Sequence, residues 1–267
     1  MTPDTVTAGR LRDYLVESRI AGDVATTRED NLTKYAMFAK RVPQAMFGLS
    51  PRGRWDRTAV LELMARVVGV DPDPGHVRGA DRIDPDLTIA ALDRLAEQVG
   101  SVARPGARVL VATGHPAGLL PVHLAVARAL SRAGTELLRP GAGWSYDTFT
   151  RSGPSSREIR YVEHVAMVSN RGELNHSHSA RPVRAALDAL DQSGATPPDL
   201  VIGDHGWAGG AGAAGVAAVG FADSNDPALF VGEEEGDVAV SVPLDDNVAP
   251  HLYEPLTAYL LARAGLA

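Results

Sequence analysis

Between residues 198 and 247, short apolar runs alternate with polar clusters three times in succession. Residues 200–202, 216–222 and 238–242 are rich in β-branched or small apolar side chains. Asp204-His205 follows the first run, Asp223-Ser224-Asn225-Asp226 the second and Asp245-Asp246-Asn247 the third. Unbroken apolar runs of this length suit strands buried on both faces, as in a parallel sheet covered by helices. Ligands of such sheets bind beyond the carboxyl ends of the strands. Three acidic clusters at three strand ends therefore point at one cavity. That much carboxylate calls for a cation or for bound protons.

Upstream of residue 105 the apolar spacing is helical. Leu11, Tyr14, Leu15 and Ile20 share a face, with Thr5 or Thr7 as the cap. A second helix starts near Thr26-Thr27, carries Glu29 and Asp30 in its first turn, and ends at Pro43. A third covers about 55–68 and stops at Gly69. Residues 71–84, dense in Asp, Pro and Gly, read as a loop. Asp84-Pro85 then opens a helix that ends near Gly100. At Arg108 the period changes. Residues 108–112 read as a strand, Thr113-Gly114-His115-Pro116 as a tight turn, 117–133 as a helix and 135–138 as a strand, an opening β–α–β unit. Residues 139–157 are expected to be irregular. Residues 159–168 should form one strand or a bent pair, and 169–179 a polar loop before a helix over 180–190. Helices over 208–215, 227–234 and 250–264 complete the chain. The pattern predicts an α/β fold, with a helical N-terminal part (1–104) packed on an α/β catalytic part (105–267). The latter is expected to hold a mostly parallel, Rossmann-like three-layer sheet.

Composition removes several function classes. With 267 residues and 45% apolar content the chain can bury a sizeable core. A net charge of −7 argues against nucleic acid or anionic membrane as partner. The absence of Cys excludes disulfides, thiolate zinc sites and Cys nucleophiles. No signal-peptide core and no apolar run of ~20 residues is present, so a cytoplasmic protein is expected. A homo-oligomer is compatible with all of this.

The chemistry-bearing residues gather at the strand ends. The turn holding Thr113, Gly114 and His115 sits where a strand meets a helix, a natural place for a phosphate; the bland alternative is a simple turn with a surface His. It is no dinucleotide fingerprint, and no Walker lysine loop occurs. Asn175 and His176, with His178, lie in one polar loop and are candidates for substrate or metal contact; an ordinary exposed loop is the alternative. Arg171 and Arg181 flank that loop and are placed to grip phosphate oxygens. Asp204 and His205, between glycines, are presented at a buried strand end. Asp223 is the better ligand of its cluster, because Asn225 or Asp226 is needed to cap the next helix. Asp246 stands for the third cluster. These hard oxygen donors with a few His suit Mg²⁺ or Mn²⁺. No Gly-x-Ser-x-Gly elbow is present for Ser-His-Asp catalysis.

The segments ATGHPAGLLPVHLAVARAL (112–130), GDHGWAGGAGAAGVAAVGFADSNDPALFV (203–231) and VPLDDNV (242–248) resemble a family of actinobacterial proteins labelled phosphatases. The resemblance extends over most of the chain, including DNLTKYAMFAKR (30–41). It implies phosphomonoester hydrolysis and transfers no individual catalytic residue. The resulting expectation is a hydrolase acting on a small phosphorylated metabolite. Asp204, Asp223 and Asp246 would hold the metal, and His205 or His115 would protonate the leaving oxygen. A non-catalytic binding module and a nucleotide- or sugar-phosphate-using transferase or isomerase are the alternatives.

Overall fold

The computed structural model describes residues 7–150 and 153–267. Helix α1 (Ala8–Glu17) is capped by the Thr7 hydroxyl, which accepts from Arg10 N. Thr5, the other candidate cap, lies outside the described residues. Ile20 follows the helix rather than riding on it, yet it is fully buried. Strand β1 (Gly22–Thr27) comes next, and Thr27 caps α2 (Arg28–Ala39). Asp56 caps α3 (Arg57–Val67), and Gly69 turns away from it at φ +86°. Strand β2 (Ala80–Ile83) pairs antiparallel with β1. The N-terminal part is therefore not purely helical. Residues 22–27 are extended because the Asp223 and Asp245 carboxylates engage the Thr26 hydroxyl and the Ala25 amide. Arg28 and Asp81, both fully buried, pair at 2.9 Å, and Arg28 also donates to the carbonyls of His76 and Asp73.

Asp84 and Pro85 open α4 (Pro85–Ser101) as the cap rules require. Strand β3 (Arg108–Ala112), α5 (Pro116–Arg132) and β4 (Glu136–Leu137) form the expected β–α–β unit. The 139–157 stretch departs from expectation. Strands β5 (Ser145–Thr150) and β6 (Gly153–Val162) form an antiparallel hairpin there. Tyr146, Thr148 and Thr150 recur at the strand period, a signal hidden by the Gly, Pro and Ser around them. A turn at Glu163 (φ +51°) splits the next apolar stretch and starts β7 (Val165–Asn170). Strand β8 (Glu173–Asn175) adds to β7 antiparallel. Then follow α6 (Arg181–Gln192), β9 (Leu200–Asp204), α7 (His205–Ala213), β10 (Ala218–Ala222), α8 (Pro227–Glu234), β11 (Val240–Pro243) and α9 (Glu254–Arg263).

The large sheet runs β11-β10-β9-β3-β7-β6-β5, with β4 beside the start of β3 and β8 beside β7. Pairing is parallel from β11 to β7 and antiparallel beyond it. Helices cover both faces. Val109 and Val111 join the core that holds α4 and α5, whereas Leu110 and Ala112 join Val183 of α6 and Trp207 of α7. From β3 the chain crosses through α5 towards β4, and from β9 it crosses through α7 the other way, towards β10. The crevice between β3 and β9 is thus a topological switch point, where strand-end loops part and leave room for a ligand.

Candidate active site

Asp204 ends β9 fully buried. Its carboxylate accepts from the Thr113 hydroxyl at 2.6 Å, the Gly114 amide at 2.6 Å and His205 Nδ1 at 2.7 Å. Burial alone would raise its pKa, but the His205 bond and charge outweigh that and hold it well below the usual carboxylate range. His205 adopts φ +48°, a left-handed conformation that costs a residue with a side chain about 1–3 kcal/mol. With Nδ1 bound to Asp204, its Nε2 faces Asp226 Oδ2 at 3.3 Å, Asp246 Oδ2 at 3.5 Å and His176 Nε2 at 3.3 Å. Burial lowers the His205 pKa, yet Asp204 and Asp226 reverse that and raise it well above the imidazole value.

The loop at 176–179 lies directly on the two strand-end turns. The Ser177 amide donates to the Gly114 carbonyl at 2.8 Å. A Cβ on Gly114 would stand 2.6 Å from Ser177 O, and one on Gly206 would stand 2.4 Å from the Ser179 carbonyl carbon. Both positions need Gly for this close approach. The loop thereby brings His178 Nε2 to 2.9 Å from His176 Nε2. His115 stacks on His176 with ring centroids 4.5 Å apart, and its Nδ1 contacts Asp246 Oδ1 at 3.1 Å, off the hydrogen-bond line. Phe47 closes the apolar side, 4.8 Å from the His178 ring and 5.2 Å from the His205 ring. Burial, reinforced by the charge of His205, pushes His176 down to about 3 and His178 to about 4. Both are therefore neutral near pH 7, the form that binds metal.

Among the described residues, three groups bring ligand atoms within 4.8 Å of one another: His115–His176–His205, His178–His205–Asp226 and Asp223–Asp245–Asp246. In the third, Asp223 accepts from Thr26 Oγ1 at 2.6 Å. Burial and the charges of Asp246 and Asp245 push Asp223 well above the usual carboxylate range. Asp246 Oδ2 is buried without a hydrogen-bond partner.

The sequence-derived candidates thus divide. His115, His176 and His205 come together, and Asp223 and Asp246 share the carboxylate cluster with Asp245. Asp204 joins none of the three groups, because its oxygens are turned to Thr113, Gly114 and His205. In the sheet Asp204 lies opposite Phe221, so Asp223 sits two residues, or ~7 Å, further along. Thr113 and Gly114 hold Asp204: the Thr113 hydroxyl also accepts from the His115 amide. Asn175 ends β8 with its Oδ1 buried and unpartnered. Arg181 lies over the Tyr146 ring at 4.3 Å. Arg171 stands at the β7–β8 turn with φ +50°, exposed and outside every His/Asp group. His178 was ranked below Asn175 and His176, and Asp226 and Asp245 were not among the candidates, yet all three belong to these groups. Asn225 or Asp226 was expected to cap α8, yet the Asp226 side chain makes no cap bond and faces His205 instead. The His-x-His spacing of His176 and His178 was the available signal for that pair. A cleft of about 880 Å³ opens from His176 and His178 towards the β5–β6 hairpin.

The class that fold and site define is an α/β protein whose sheet carries, at its switch point, a buried His/Asp centre able to hold metal ions. The chain belongs to the family described as Phosphatase, whose model matches residues 6–267. It is 47% identical over 266 residues to Phosphatase SCO2771 of Streptomyces coelicolor (strain ATCC BAA-471 / A3(2) / M145), covering 99% of this chain and 98% of that protein. The resemblance carried by residues 112–130, 203–231 and 242–248 therefore holds, and the chain is an enzyme of the phosphatase class. No helix among the described residues is long and apolar enough to cross a membrane.

Proposed function

We propose that this chain hydrolyses a phosphate monoester on a small cytoplasmic metabolite with the help of divalent cations. The observation that carries the reading is the convergence of three imidazole nitrogens: His176 Nε2 lies 2.9 Å from His178 Nε2 and 3.3 Å from His205 Nε2. Neutral imidazoles facing one another repel through their lone pairs unless a proton or a cation lies between them. His205, whose pKa is raised, carries a proton on Nε2 in the metal-free chain, whereas His176 and His178, pushed down to about 3 and about 4, are neutral near pH 7; a cation would displace the His205 proton and take all three nitrogens. A cation fits this donor set. His176, His178, His205 and Asp226 mix imidazole with carboxylate, which favours Mn²⁺ over Mg²⁺, whereas Asp223, Asp245 and Asp246 offer oxygen alone and suit either ion.

Cations held there would polarise the phosphoryl oxygens and make a nucleophile of water near neutral pH. The protein's own groups do the remaining work. Asp204 accepts the hydrogen bond from His205 Nδ1 and so keeps Nε2 turned to the cluster, the orienting role of a carboxylate behind a metal-binding His. His115, braced by Asp246 and stacked on His176, is placed to give a proton to the leaving-group oxygen. Asn175 offers an unused amide oxygen to a substrate hydroxyl. Phe47 keeps water from the His178 and His205 rings. The test is phosphate release from p-nitrophenyl phosphate after chelation and reloading. Turnover should vanish with the metal, return with Mn²⁺ and stay absent in His205→Asn. Undiminished turnover by protein shown to be metal-free would end this reading.

A further inference from the structure

The cleft beside the His/Asp centre has a charge pattern opposite to that of the whole chain. The chain carries −7, yet Arg41, Arg157, Arg181 and Arg184 line this cleft and no Asp or Glu is among its described lining residues. Ion pairs elsewhere use other arginines, Arg28, Arg52, Arg94 and Arg128 among them. Here the partners are backbone carbonyls, which leave the charge uncompensated. Arg184 donates to Gly48 O at 2.9 Å, Arg181 to Asp147 O at 3.3 Å and Arg41 to Gly53 O at 3.4 Å. Arg157 goes further: its Nη1 is buried with no hydrogen-bond partner at all. A buried guanidinium nitrogen left unpaired is costly, and its natural complement is a carboxylate or phosphate bound through two parallel bonds.

The size of the cleft points the same way. At about 880 Å³ it falls within the 300–1,000 Å³ of sites that enclose a whole small molecule, far more than the transferred phosphoryl group requires. His176 and His178 form its inner end, so a molecule in the cleft is continuous with the metal-competent centre. Tyr146 and Phe149 stand on the hairpin side, and Phe149 is 84% exposed, which offers an apolar face to the body of the ligand.

We infer that this cleft is an oxyanion subsite, and that the substrate is a phosphomonoester carrying a second anionic group remote from the ester to be cleaved. The inference rests on the hydrolytic reading of the adjoining centre. The scissile phosphate would occupy the His176–His178 end, and the second anion, a phosphate or a carboxylate, would take the Arg157 and Arg184 guanidiniums. Transfer of the phosphoryl group to water consumes one water and releases inorganic phosphate and the alcohol, with the second anion unchanged.

The test uses full-length, Mn²⁺-loaded protein and matched substrate pairs. Adenosine 3′,5′-bisphosphate against adenosine 3′-monophosphate adds a remote phosphate, and phosphoserine against phosphoethanolamine adds a carboxylate. The member with the second anion should have at least tenfold higher kcat/KM in one of the two pairs, through KM. The pair that shows it identifies the anion. Arg157→Gln and Arg184→Gln should each reduce that ratio at least fivefold, with Arg157→Lys recovering part of it. Equal rates within both pairs, or a ratio untouched by the arginine substitutions, would overturn the subsite and leave the phosphatase reading standing. If no compound releases phosphate, the hydrolytic reading fails instead. Calorimetric binding of the same pairs then decides the subsite, the doubly anionic member having to bind at least tenfold more tightly.

Discussion

Asp204→Asn separates an orienting carboxylate from a metal-binding one. In the parent, three donors converge on Asp204 at 2.6–2.7 Å. The Asn carbonyl can still accept from Gly114 N and His205 Nδ1 if its amide turns to Thr113. The Thr113 hydroxyl must then swing its proton elsewhere while continuing to accept from the His115 amide. Hydrogen bonds to a charged acceptor contribute ≈1.5–3 kcal/mol and neutral ones ≈0.5–1.5, so three weakened bonds amount to about 3–4 kcal/mol. Removing a fully buried charge offsets part of this, which leaves a net destabilisation of about 1–3 kcal/mol. The effect on metal is more specific. Loss of a carboxylate behind a ligating His weakens metal affinity about 10–100-fold, or ~1.4–2.7 kcal/mol. Asp226→Asn, which alters a carboxylate facing the cluster itself, should weaken it more. Calorimetric titration with Mn²⁺ on the parent and both variants measures the difference. The orienting role is refuted if Asp204→Asn binds Mn²⁺ as tightly as the parent. A loss in Asp204→Asn larger than in Asp226→Asn would make Asp204 a ligand after all.

Asp223 holds a proton in the folded, metal-free chain that an unfolded Asp releases above about pH 3.9, because burial and two neighbouring carboxylates raise its pKa. That stabilisation is complete below the unfolded pKa and is lost as pH rises through the folded one. In chelated protein, the Tm advantage of Asp223→Asn over the parent should therefore grow from about pH 4 to pH 8, and a constant difference would contradict it. Gly206→Ala drives a methyl into the Ser179 carbonyl and should cost about 1–3 kcal/mol, with metal affinity falling further than Tm because His178 is displaced. Wild-type Mn²⁺ binding in that variant would show that the loop tolerates the shift. Asp81→Ala leaves the buried Arg28 without its counter-charge and should cost about 3–5 kcal/mol by denaturant titration, well beyond what an exposed pair would lose.

Much of the fold was legible because local rules and tertiary context agree. The bounds of β3 and α8 match their apolar runs, and Thr27 and Asp84 cap where their side chains allow. The β5–β6 hairpin was not legible, since Gly, Pro and Ser outvoted an alternation that only pairing makes meaningful. At the site, strand-end position brought His205, Asp223 and Asp246 into groups that could hold a metal but could not orient the side chains. Asp204 and Asp223 look equivalent as residues that end apolar runs. Register, and the donors on the Thr113-Gly114 turn, turn one inward and leave the other among carboxylates. Asp226 was obscured by Pro227, whose cap chemistry explained the Asp too readily.

The bonds from β1 to the last strand ends have a consequence for biosynthesis. Thr26 and Asp223 are 197 residues apart, and Ala25 and Asp245 are 220 apart. Contacts this distant in sequence form late, because a long loop must close before they give any return. As the chain leaves the ribosome, β1 must wait for its carboxylate partners until about two hundred further residues have been made. His115, His176, His205 and Asp226 likewise come from separate stretches of the chain. A metal ion could be enclosed between them only once these stretches have come together, so the ion present as β9 and β10 dock would decide which one is held.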